Sequence, residues 1–62
     1  MTLYIFPCRV NAPDFAQAQE AVVALMLTKN LQPTEPPNPK ICPVQYGDGP
    51  LWECYAKCEV MG

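Results

Sequence analysis

Residues 50–61 read PLWECYAKCEVM, and the alternation in that stretch decides the fold. In a strand successive side chains point to opposite faces, so Trp52, Cys54, Ala56, Cys58 and Val60 share one side and Leu51, Glu53, Tyr55, Lys57 and Glu59 the other. The first set is apolar and suited to lie under a helix. The second mixes carboxylates, a cation and an aromatic ring. One closed face and one open face are the mark of an antiparallel sheet packed on a single side.

Immediately upstream, residues 40–46 (KICPVQY) form a second apolar run, separated from the first by Gly47, Asp48 and Gly49. A three-residue loop whose last glycine takes positive φ joins the two as a hairpin over 40–61. That choice pairs Val44 with Trp52 and Cys42 with Cys54, and adds Cys42, Val44 and Tyr46 to the apolar face. Five of the eight prolines fall between Pro33 and Pro43, so residues 31–39 read as a semi-rigid, polyproline-like connector. Its bare PxxP spacing lacks the basic residue that a groove-binding ligand carries.

Further back, residues 14–29 predict a helix. Asp14 and Gln17 form a capping box, and Phe15, Ala18, Val22, Leu25 and Met26 recur at helical spacing. Asn30 suits the left-handed residue that closes a helix, with Leu31 folding back onto it. Val23 and Leu27 widen the apolar arc of the last two turns, which makes them the candidates for self-association as a homodimer. Residues 2–10 predict a strand with Tyr4, Phe6, Cys8 and Val10 on one face and Leu3, Ile5 and Arg9 on the other. Pro7 cannot donate to a ladder and assigns that strand to an edge.

The order is strand, helix, strand, strand in one domain spanning 1–62. The expected fold is α+β, a two-layer β-α-β-β domain whose three-stranded, mostly antiparallel sheet carries one helix on one face. A last strand lying between the other two makes every pairing antiparallel; the competing topology pairs the first two strands in parallel through a right-handed crossover. The expected core is Phe6, Phe15, Val22, Leu25, Trp52 and the cysteines.

Composition narrows the function. Half of the 62 residues are apolar and 16% are charged, which argues for a folded chain rather than a disordered one. A domain of this size hides only about 60% of its unfolded surface, so a partner that adds burial is expected. The net charge is −2, and the only cations are Arg9, Lys29, Lys40 and Lys57. Direct binding to nucleic acid, which draws on a clustered basic face, is not expected. The six carboxylates are too scattered to mimic a phosphate backbone. Leu3 to Phe6 is broken at once by Pro7, so the N-terminus does not read as a signal peptide. No run of 18 apolar residues exists. No membrane association is expected, and a cytoplasmic location with reduced thiols is.

Four cysteines without a histidine raise the question of zinc. Their spacings of 34, 12 and 4 residues contain no CxxC knuckle, and Cys54 and Cys58 on one regular strand stand about 13 Å apart, too far to share one ion. No metal and no cofactor is expected, and the thiols read as small buried hydrophobes. A cross-strand Cys42–Cys54 disulfide is the oxidised alternative. Catalysis is not expected either, since the chain holds neither histidine nor serine and no nucleophile–base pair can be assembled.

What remains is a surface. Leu3, Ile5, Ile41, Leu51 and Tyr55 are left on the open face, ringed by Glu53, Lys57 and Glu59. Aliphatic and aromatic anchors inside a charged rim are how interfaces distribute their energy. Leu3, Ile5, Tyr55, Glu53 and Glu59 are therefore the candidate partner-binding residues. The functional expectation is a small acidic protein that binds and inhibits or modulates a larger protein or nucleoprotein complex. Such a domain suits a phage or mobile-element inhibitor, for instance an anti-CRISPR or host-takeover protein. An accessory subunit of a larger assembly and a zinc- or thiol-dependent regulator using Cys8, Cys42, Cys54 and Cys58 are the alternatives.

Overall fold

The computed structural model of the chain describes residues 3–61. Thr2, with which the first strand was expected to begin, lies outside them. The elements are β1 (Leu3–Asn11), α1 (Phe15–Thr28), β2 (Leu31–Pro33), β3 (Lys40–Ile41) and β4 (Leu51–Val60). β4 is the central strand. β1 runs antiparallel along one side of it, while β2 and β3 pair in tandem, also antiparallel, along the other. The α+β architecture with one helix among the described residues is the expected one, and of the two topologies left open the last strand lies between the others. The parallel crossover is not formed.

α1 begins where its cap dictates. The Asp14 carboxylate accepts from the Gln17 backbone N–H at 2.9 Å, which satisfies one of the orphan donors of the first turn. At the other end Asn30 takes φ 57°, turning the chain back so that Leu31 packs against the core. Ala18, Val22 and Met26, each fully buried, form the stripe that faces the sheet. Val22 and Met26 meet Cys54, Ala56 and Cys58 of β4, with Phe6, Cys8, Val10 and Leu31 packed around them. Phe15, expected in the core, is 41% exposed at the helix start. It meets Trp52 edge-on at 6.2 Å, and Trp52 in turn donates its indole N–H to the Ala12 carbonyl.

The ladder explains where the chain can place its prolines. Ala12 N–H donates to Pro50 O in the β1–β4 register, and antiparallel pairs alternate between hydrogen-bonded and non-hydrogen-bonded. Pro7, opposite Tyr55, therefore occupies a non-hydrogen-bonded position with its nitrogen turned to the free edge. The same parity holds across β4: Met61 N–H donates to Asn30 O and Thr34 N–H to Lys57 O, which leaves Pro33, opposite Cys58, where no donor is needed.

Two expectations change. First, the connector over 31–39 is partly sheet, since Leu31–Pro33 pairs with the end of β4 and adds a fourth strand. The prolines beyond it cannot extend the ladder, and they fold inward instead: Pro37 and Pro39 are buried, and the Gln19 side chain donates to Pro37 O at 2.7 Å. The connector thus closes one side of the core. Second, the hairpin register differs. Lys40 opposes Glu53 and Ile41 opposes Trp52, a slip of three residues from the Cys42–Cys54 pairing.

An odd slip exchanges the faces of a strand, so Cys42 turns to the open side, and Val44 and Tyr46 are exposed. The cause is Gln45. Its amide donates to Cys42 O and Leu51 O and accepts from Leu51 N–H, bridging the Leu51 N–H and Cys42 O that a regular ladder would join directly. Asn11 holds the far side of this loop through Tyr46 O and Gly49 O. Gly47 takes φ 86°, which favours glycine, and a Cβ there would stand 3.2 Å from the Asn11 amide oxygen, a tight contact.

Candidate binding face

The odd-numbered residues of β1 and β4 look away from α1. Across the two strands Leu3 opposes Glu59, Ile5 opposes Lys57, Pro7 opposes Tyr55 and Arg9 opposes Glu53. These are the non-hydrogen-bonded pairs, in which Cα atoms approach to about 4.5 Å and side chains lie closest. Leu3, Ile5 and Tyr55 are 65%, 56% and 69% exposed, and with Pro7 they form an apolar strip running about 13 Å along the sheet. All five candidate partner-binding residues stand on this one face.

The rim carries both signs of charge. Lys57 pairs with Glu35 at 3.6 Å. Glu53 sits between two cations, with Arg9 directly across in β1 and Lys40 directly across in β3. The Cys42 thiol lies 3.8 Å from its carboxylate. Arg9 donates to the Tyr46 hydroxyl at 3.4 Å, and that hydrogen bond raises the affinity of the guanidinium for its proton. Tyr46 and Lys40 join the face only because of the slipped register, which no local pattern announces.

Two residues expected on this face are not part of it. Leu51 is buried at 3% exposure, because the loop held by Gln45 folds over the start of β4. Ile41 stands opposite Trp52, on the helix side of the sheet, although it remains exposed there. On the far side of the molecule, Val23 and Leu27 line an open groove of about 740 Å³ together with Ala16, Ala24, Pro33 and Pro36. Val23 is half-buried and Leu27 exposed.

The four thiols divide between the faces. Cys8, Cys54 and Cys58 point toward α1, Cys42 toward Glu53, and all four are free. Cys42 and Cys54 are not opposed, so the cross-strand disulfide between them is not available to this register. Among the described residues no three cysteine or carboxylate side chains converge where a metal ion could be held. Burial pushes the Cys8 and Cys54 thiols up from their ordinary value, which keeps them protonated at neutral pH and unactivated as nucleophiles. The chemistry this surface offers is apolar contact, ion pairing and hydrogen bonding. Among the described residues no helix is long and apolar enough to cross a membrane. No family model matches the chain, and neither a curated protein nor a solved structure is similar to it at a meaningful level.

Proposed function

We propose that this chain is a non-enzymatic interaction domain that docks its open sheet face on a larger protein or nucleoprotein complex and inhibits or modulates it. The observation that carries the reading is the exposed Leu3, Ile5 and Tyr55 strip on the face opposite α1. Large apolar side chains gathered on one rigid sheet, rather than scattered singly, are what a docking surface requires. The rim argues for a protein surface as the partner. Along β4 the charges alternate as Glu53, Lys57 and Glu59, and a phosphate backbone would be met by cations alone. In a phage or mobile-element setting, a domain of this kind acts as an inhibitor of host machinery, an anti-CRISPR or host-takeover protein, by covering a working surface in the host cytoplasm.

The test is native mass spectrometry of the tagged chain recovered from its own cells, repeated with Ile5→Ala/Tyr55→Ala and with Val23→Ala/Leu27→Ala. The expected result is one complex of fixed stoichiometry whose partner loses activity on binding, absent for the open-face variant and retained for the helix variant. A complex that survives loss of Ile5 and Tyr55 removes the open face from consideration. Loss only with the helix variant moves the contact, or self-association, to the groove beside α1.

A further inference from the structure

Of the four thiols, two have hydrogen-bond acceptors: Cys42 donates to the Glu53 carboxylate at 3.8 Å and Cys58 to Tyr4 O at 3.7 Å. Among the described residues neither Cys8 nor Cys54 has one, and these two stand directly opposite each other on β1 and β4, both facing α1. We propose that Cys8 and Cys54 form a two-thiolate site for a soft monovalent metal ion, with Cu(I) as the fitting class.

The ladder sets the spacing. Counting in twos from the Ala12 N–H bond to Pro50 O, Cys8 and Cys54 are a hydrogen-bonded pair, for which Cα atoms stand about 5.5 Å apart and Cβ atoms at the wide end of about 4.5–5.5 Å. An unstrained disulfide wants Cβ atoms about 3.5–4.5 Å apart. Two metal–thiolate bonds of about 2.3 Å, set end to end, place sulfurs about 4.6 Å apart. The Cα spacing also admits a disulfide, while the wide Cβ spacing suits an ion held between the sulfurs.

Ligand type selects the metal. Thiolates are soft and favour Cu(I), which accepts two ligands in line, whereas tetrahedral zinc needs two more than converge here. Burial raises the Cys54 thiol overall, and the Asn38 backbone N–H works against it as the smaller effect, the kind of outer hydrogen bond that supports a ligand. Met26, a further soft donor, belongs to the same cluster. Cys8 is half-exposed on the edge strand, which provides the way in. Binding is an exchange without redox change: Cu⁺ joins two thiols, two protons leave to solvent, and an anionic bis-thiolate centre forms. The site is on the helix side of the sheet, so it stands or falls separately from the docking face.

The experiment presents reduced protein, without oxygen, with Cu(I) buffered by a chelating competitor, and reads bound copper by native mass spectrometry. One ion per chain is expected for the unaltered protein, for Cys42→Ser and for Cys58→Ala. Cys8→Ser and Cys54→Ala should each weaken binding by more than about 100-fold, because losing a ligand exceeds the 10–100-fold effect of losing an outer-shell partner. Circular dichroism checks that each variant is folded. Cys8→Ser, at a half-exposed position, keeps the test open if Cys54→Ala unfolds. The proposal is overturned by any of four results: no retained copper, binding that survives Cys8→Ser, equal loss from all four variants, or a product that is merely two hydrogens lighter.

Discussion

Neighbouring residues on β4 live in opposite surroundings. Cys54, Ala56 and Cys58 are 5%, 3% and 0% exposed, while Tyr55 between them is 69% exposed. The first three close the core under Val22 and Met26; Tyr55 stands on the sheet face turned away from α1, where no element among the described residues covers it. The difference separates the source of stability from the candidate source of recognition. Apolar area on the helix side is already removed from water and contributes to folding, at about 25 cal/mol per Å². The same kind of area on the open side contributes only when something else covers it. One strand, through its period of two, supplies both.

The contrast is broken most severely from the helix side. Met26→Ala empties a fully buried position and is expected to cost about 3 kcal/mol, read as a lower urea midpoint, with little left folded in a chain so small. Next in size is the open side. Tyr55→Ala should leave the urea midpoint within about 0.5 kcal/mol of the parent yet weaken the complex by about 2 kcal/mol, or roughly 30-fold. A Tyr55→Ala chain that binds normally but unfolds easily would reverse the assignment of the two faces.

A smaller effect tests the loop that buries Leu51. Gln45→Ala removes three hydrogen bonds to Cys42 O, Leu51 O and Leu51 N–H. At this partly exposed site the loss should be about 1 kcal/mol, with faster amide exchange at Leu51 and unchanged exchange at Val22.

The smallest effect is in alkali and sharpens the character of the closed face. Burial raises the Cys8 and Cys54 thiols above their ordinary value of 9.0, so the folded state holds its protons more tightly than the unfolded state. Their contribution to stability is then complete below about pH 9 and is lost as pH rises through the raised folded values. Urea midpoints measured from pH 7 upward should fall beyond pH 9, less steeply in Cys54→Ala. An identical slope in that variant would show that Cys54 is not held in its neutral form by burial.

The features that could be read along the chain are those decided within a few residues. Asp14 reaches only to Gln17, Asn30 turns the chain by its own φ, and the faces of β4 follow from strand geometry. Leu3, Ile5, Glu53, Tyr55 and Glu59 could be grouped because the parity of two alternating strands survives any even shift in their pairing. Leu31–Gln32–Pro33 could not be read as a strand, being three residues with a proline among them. It becomes one only because the end of β4 offers an unpaired edge at the right height. The same is true of the thiols, whose positions in sequence say nothing about Cys8 facing Cys54.

By itself the sequence determined the helix and its ends, the edge placement of β1 and the two faces of β4. Periodicity, caps and residue chemistry are local, and they hold whatever the chain later packs against. Only the tertiary structure decided the register of β3, the burial of Leu51, the inward fold of Pro37 and Pro39, and the opposition of Cys8 to Cys54. Those depend on which of several distant groups satisfies a given backbone N–H. Here the Gln45 side chain satisfies the Leu51 N–H in place of a further pair of the expected hairpin, and an odd slip in register exchanged the faces of Lys40 and Ile41.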